Sequence, residues 1–146
     1  MSRVELAISC FKEGFSCAQA LLSTYGIQFG LSRKIALKMA SAFGGGMGRM
    51  GETCGAVTGA LMVLGLKYGR TKAEDRASQK KTDGLGKEFV DKFKSRNESI
   101  LCKELLCCDI STVEGMITAK EKHLFTTVCP KLVQDAAEIL EEILKE

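Results

Sequence analysis

The chain has no tryptophan, one proline and one histidine, and only nine aromatic rings in all, seven Phe and two Tyr. That scarcity leaves few flat side chains for stacking on bases. With 21 basic against 18 acidic residues the net charge is only +3, too even for a nucleic-acid partner. Basic residues gather at Lys80–Lys81 and Lys92–Arg96, but acidic residues are mixed in, so a solvated face is expected there. The chain contains no CxxC, HExxH or CxxCH and no ferredoxin spacing. Local zinc-finger and zincin sites and covalent haem are therefore excluded. The longest apolar stretch, 54–66, is interrupted by Gly55, Gly59 and Gly65 and is too short for a membrane span. Met1-Ser-Arg-Val-Glu lacks the apolar region that follows a basic secretory start. The expectation is a cytoplasmic protein without a membrane partner, whose cysteines stay reduced unless they are redox-active or bind metal.

Against these absences stand 15 glycines and seven cysteines in 146 residues, a length for one domain. The odd cysteine count argues against a purely structural disulfide framework. No period-two strand, internal repeat or dividing linker is visible. Helical periodicity is widespread, as in Val4, Ala7, Ile8 and Phe11, which repeat at i, i+3, i+4 and i+7. We therefore expect an all-α single domain over 1–146, a bundle of about seven helices around a central apolar helix at 54–68.

Several boundaries follow from local chemistry. The second helix runs from Cys17 to Tyr25, with Gly26 as its stop. Ser32 caps a third. The polar stretch 74–93 is helical with an interruption at Gly84-Leu85-Gly86, and 99–107 is a short helix. Ser111-Thr-Val-Glu114 reads as a capping box for a helix reaching Phe125. Cys129 is the apparent N-cap of the last helix, with Pro130 at its first position. Gly51, Gly55 and Gly59 recur at spacing four, giving a flat face for helix packing or for a homodimer.

Four cysteines stand at expected helix starts: Cys17, Cys54, Cys102 and Cys129. Unpaired N–H groups and the positive end of the macrodipole there favour the thiolate, the form that ligates metal and attacks disulfides. Cys129 and then Cys54 are the first choices for a lowered pKa. Before Cys54 lies a glycine-rich loop, Gly44-Gly-Gly-Met-Gly-Arg-Met-Gly51, whose N–H groups suit an anion nest. Its GxGxxG, Gly46 to Gly51, follows no strand, so a dinucleotide site is not expected. Gly46, Gly48, Arg49, Gly51 and Gly55 are the candidate cofactor contacts, Arg49 as partner of a thiolate, cluster or anionic ligand. His123 follows charged residues and reads as a surface residue. Cys10, Cys107 and Cys108 read as structural. Converging thiols leave three chemistries open: an Fe–S centre for electron transfer, a metal-free dithiol–disulfide pair, or zinc in a non-catalytic binding or assembly module.

Phe15-Ser-Cys17-Ala-Gln-Ala, Gly44 to Met62 with its Cys54-Gly-Ala-Val-Thr-Gly59, Cys102-Lys-Glu-Leu-Leu and Cys129-Pro-Lys-Leu-Val resemble a known pattern. It is that of the small redox-active C_GCAxxG_C_C family, here with a CGAxxG motif, and the likeness covers about residues 10–143. The resemblance implies that Cys17, Cys54, Cys102 and Cys129 are the functional set and sets Cys107 and Cys108 outside it. The family is also similar to a domain of split-Soret cytochromes, which carry an Fe–S centre besides haem. That likeness implies an Fe–S centre here and a redox partner protein; covalent haem is not carried over, because the attachment motif is missing.

Overall fold

The computed structural model describes residues 1–145. They form nine α-helices: α1 Arg3–Lys12, α2 Cys17–Gly26, α3 Arg33–Met39, α4 Gly55–Tyr68, α5 Arg76–Asn97, α6 Cys102–Leu105, α7 Val113–Glu121, α8 Leu124–Thr127 and α9 Cys129–Leu144. Two short 3-10 turns, Ile27–Phe29 and Ser41–Phe43, follow α2 and α3. No sheet occurs among the described residues; one isolated antiparallel bridge joins Thr53 and Leu101. The all-α expectation holds, with more and shorter helices than the seven anticipated.

As its composition requires, α4 is the centre. It packs against α2, α5 and α9, and Val57, Ala60, Val63 and Leu64 are buried in a core with Leu21, Leu22, Tyr25, Phe89, Phe93, Ile139, Leu140 and Ile143. Each large apolar side chain so buried contributes about 1.5–3 kcal/mol. The glycine face of α4 is spent on α2. A β-carbon on Gly55 would lie 2.8 Å from the Ala18 nitrogen, and one on Gly59 would lie 2.9 Å from the Ala18 oxygen. That face is therefore an internal helix–helix contact and offers nothing to a second copy of the chain. Gly51 lies off it, beside Lys103 and Asp109.

Several helix ends differ from expectation, each for a local reason. α2 continues through Gly26 into a 3-10 turn and stops at Gly30, whose φ is +88°. α5 runs unbroken through Gly84 and Gly86. Two interior glycines cost about 1 kcal/mol each, but Phe89 and Phe93 stack one turn apart in the core with centroids 6.1 Å apart. The Asp75 carboxylate also accepts the Ser78 N–H at its start. Thr112, not Ser111, caps α7 by accepting the Gly115 N–H at 2.9 Å, because Ser111 is engaged by Asp109. His123 at φ +56° separates α7 from α8, and it is exposed as expected. The short helix expected at 99–107 shrinks to α6. α9 begins at Cys129, so Val128 is its N-cap and Pro130 its second residue.

Candidate functional site

The first turns of α2, α4, α6 and α9 meet at one cavity of about 430 Å³. Cys17, Cys54, Cys102 and Cys129 all line it. Cys17 is the first residue of α2, fixed by a reciprocal cap: Ser16 Oγ accepts the Gln19 N–H at 3.2 Å, and Gln19 Oε1 accepts the Ser16 N–H at 3.0 Å. Gln19 also donates to the Leu37 carbonyl, which ties α2 to α3. Cys54 is the N-cap of α4 and Cys102 the first residue of α6. They are brought together by the Thr53–Leu101 bridge, in which the Cys54 N–H donates to the Ile100 carbonyl and the Cys102 N–H to the Glu52 carbonyl, both at 2.7 Å. Cys129 enters on the last helix, which packs against α1 and α2. Cys54, Cys102 and Cys129 are buried, Cys17 is half-buried, and all seven cysteines are free thiols.

Phe11, Phe15, Phe125 and Leu132 supply apolar lining to this cavity, and Gly44, Gly45, Gly46, Gly48 and Arg49 of the glycine loop line it as well. Among the described residues no Asp or Glu lines the cavity, and Arg49 is the one charged residue that does. The Arg49 guanidinium is exposed, with no ion-pair partner among the described residues. Of the expected cofactor contacts, Gly46, Gly48, Arg49 and Gly55 reach the cavity; Gly51 does not.

The glycine loop is wound tightly, with positive φ at Gly45, Gly46, Met47, Gly48, Arg49 and Gly51. Its nest is smaller than the sequence implied. The N–H groups of residues 47 to 52 are all taken by carbonyls of residues 42 to 47, such as Gly48 on Ala42 and Glu52 on Gly46. Only the amides of Gly44, Gly45 and Gly46 lack an acceptor among the described residues. Native folds seldom leave buried amides unpaired.

The helix-start argument for thiolates holds for one cysteine and fails for two. Cys54 is lowered, chiefly because the Cys17 thiol serves its charge, with help from the Ala56 and Val57 amides and against the cost of burial. Cys17 is raised, because its thiol faces the Cys129 and Cys54 sulfurs and is desolvated. Burial, together with the nearby Cys54 and Cys129 charges, pushes Cys102 up to about 12. Hydrogen bonding to the Cys129 and Cys54 sulfurs at Cys17, and desolvation at Cys102, thus outweigh the macrodipole. Of the pair Cys17–Cys54, Cys54 is the one that gives up its proton at the lower pH. The N-cap position that recommended Cys129 belongs to Val128, and the N-cap cysteine of the set is Cys54.

Ser16, Gln19 and the phenylalanine wall were not anticipated as part of the site. The S-x-x-Q pattern at 16–19 is a readable capping signal. The bridge at Thr53 carries none, since a single pair of residues has no period.

A helical domain with four thiols gathered from distant parts of the chain at one cavity is the architecture of a redox-active cysteine protein. The chain belongs to the family described as "Putative redox-active protein (C_GCAxxG_C_C)", which matches residues 15–143. The central element of that description is here Cys54-Gly-Ala-Val-Thr-Gly59, with the cysteine before the glycine. No curated protein and no solved structure matches the chain.

Proposed function

We propose that the protein is an electron carrier in which Cys17, Cys54, Cys102 and Cys129 hold an iron–sulfur centre. The observation that carries this reading is the convergence of those four thiols, each from a different helix start, on one cavity. A disulfide needs only two. Soft thiolates in a set of four suit Fe–S clusters and zinc. Among the described residues, however, no three His, Cys, Asp or Glu side chains are grouped as ligands of one metal ion. An Fe–S centre is preferred to zinc because the family is described as redox-active and zinc carries no electron.

The surroundings agree in sign. A thiolate-ligated cluster is anionic, and the cavity offers Arg49, three free amides and the positive ends of α2, α4 and α9, with no carboxylate. Positive metal would also compensate the cost that keeps Cys17 and Cys102 protonated. The centre supplies one-electron chemistry; the chain supplies ligands, a hydrogen-bonding loop and an apolar wall that limits water. A redox partner protein would deliver or take the electron.

Anaerobic purification followed by iron and sulfide analysis and an absorption spectrum tests this. Both elements should be present, and each of the four Cys→Ser substitutions should reduce them while Cys10→Ser does not. Absence of iron and sulfide after anaerobic reconstitution would falsify the cluster reading.

A second reading rests on Cys17 and Cys54 lining the same cavity, with the Cys17 thiol favouring loss of the Cys54 proton. That is the starting state of a dithiol that closes to a disulfide and returns two electrons. Thiol counting under mild oxidant separates it from the first: loss of two thiols, mapped to Cys17 and Cys54 in iron-free protein, supports the dithiol.

A further inference from the structure

Cys107 and Cys108 lie outside the cavity and take no part in the function proposed above. Cys107 is exposed and held at φ +55°, a left-handed conformation costing an L-residue about 1–2 kcal/mol. Its thiol donates to the Glu104 carbonyl at 3.5 Å. Cys108 is half-buried and packs against the cluster formed by Cys102, Leu106, Ile110, Ala119 and Cys129. The turn after α6 therefore gives one thiol to solvent and the next to the group that contains Cys102.

We propose that Cys107 and Cys108 are a thiol relay through which low-molecular-weight disulfides in solution oxidise Cys102. The Cys107 thiolate attacks the external disulfide, whose S–S bond breaks; one half stays on Cys107 and the other leaves as a thiol. Cys108 then attacks the Cys107 sulfur and expels the second half. Adjacent α-carbons lie about 3.8 Å apart, short of the roughly 4.4 Å lower bound for relaxed disulfides. The vicinal bond is therefore strained and is passed on. Cys102 attacks Cys108, and Cys107 leaves as the free thiolate. In sum, Cys102 and Cys108 lose two electrons and two protons, and the external disulfide becomes two thiols.

The result is a gate on the buried site. A Cys102 bonded to Cys108 is withdrawn from the four-thiol set until a reductant restores it. The relay requires Cys102 to be a free thiol, so it runs in the protein with an empty cavity and is closed while the centre proposed above holds Cys102.

The full chain, reduced and kept in chelator, is treated with oxidised glutathione, quenched by alkylation and mapped by peptide mass spectrometry. Glutathione should appear first on Cys107, followed by a Cys102–Cys108 bond. Cys108→Ser should stall with glutathione on Cys107. Cys107→Gly should slow the Cys102–Cys108 bond several-fold, and its fold is secure because glycine suits the left-handed position; circular dichroism verifies this. A Cys102–Cys108 bond forming at the wild-type rate in Cys107→Gly overturns the relay. So does oxidation confined to Cys17, Cys54, Cys102 and Cys129, or survival of all seven thiols.

Discussion

A β-carbon on Gly46 would stand 2.7 Å from the β-carbon of Cys102. The tightest point of the glycine loop is thus pressed against the third cysteine of the site, and the loop's shape and that thiol's position are set together. The same missing side chain lets the loop close on Glu52, whose nitrogen and oxygen would lie 2.7 and 2.8 Å from it.

Gly46→Ala should accordingly be costly. Overpacking contributes about 1–3 kcal/mol, and an L-residue at the observed φ of +71° adds about 1–2 kcal/mol. Urea unfolding should show the loss. Gly48→Ala, with only the end of the Met50 side chain within reach, should lose the conformational part alone.

Two glycines of α4 should respond in opposite senses. Gly65 has nothing within 4 Å of an added β-carbon, so Gly65→Ala should stabilise by about 0.5–1 kcal/mol. Gly59→Ala meets the Ala18 backbone and should destabilise by about 1–3 kcal/mol through separation of α2 from α4. A rise in thermal midpoint for Gly59→Ala would contradict the packing described.

Removing the Cys17 thiol takes away the largest influence that lowers Cys54. In Cys17→Ala the Cys54 thiolate should form at higher pH than in the parent. Ultraviolet thiolate absorbance across a pH titration of metal-free protein measures the change; an unmoved or lower titration would mean that the Ala56 and Val57 amides suffice.

Stability should fall under alkali. Cys102 is raised to about 12, so above the ordinary thiol value of about 8.5 the unfolded chain releases a proton that the folded chain retains. Its contribution is complete below that value and is lost as pH climbs towards 12. Cys54 acts in the other sense, since a lowered thiol contributes stability that disappears as pH falls through its folded value. Cys102→Ala should flatten the alkaline decline in thermal midpoint of the metal-free protein.

The helices were legible where sequence carried a period or a cap. Central α4 is apolar almost all round, α9 holds an uninterrupted stripe from Leu132 to Ile143, and Ser16, Ser32 and Asp75 each accept an N–H three residues on. Convergence of the four cysteines was legible through their helix-start positions and the family pattern rather than through any local spacing. What escaped was chemistry that depends on neighbours brought in by folding. The Cys129 and Cys54 sulfurs at Cys17, and burial at Cys102, work against the dipole. The loop spends most of its own amides, which shrinks the nest. Tertiary packing of Phe89 and Phe93 carries α5 through two glycines that would break a free helix. The Thr53–Leu101 bridge, which sets Cys54 beside Cys102, is a single residue pair and leaves no pattern to read.

The order in which the four thiols occur also sets a schedule. Cys17, Cys54 and Cys102 leave the ribosome well before Cys129, and it is α9, packed on α1 and α2, that brings the fourth sulfur and Leu132 to the cavity. Until that helix docks, three cysteines sit in an incomplete cup without their last partner or part of their apolar wall. Were the cavity to take up a group, its site would be complete only after α9 has docked, and until then these thiols would be open to whatever oxidant or stray metal the surroundings contain.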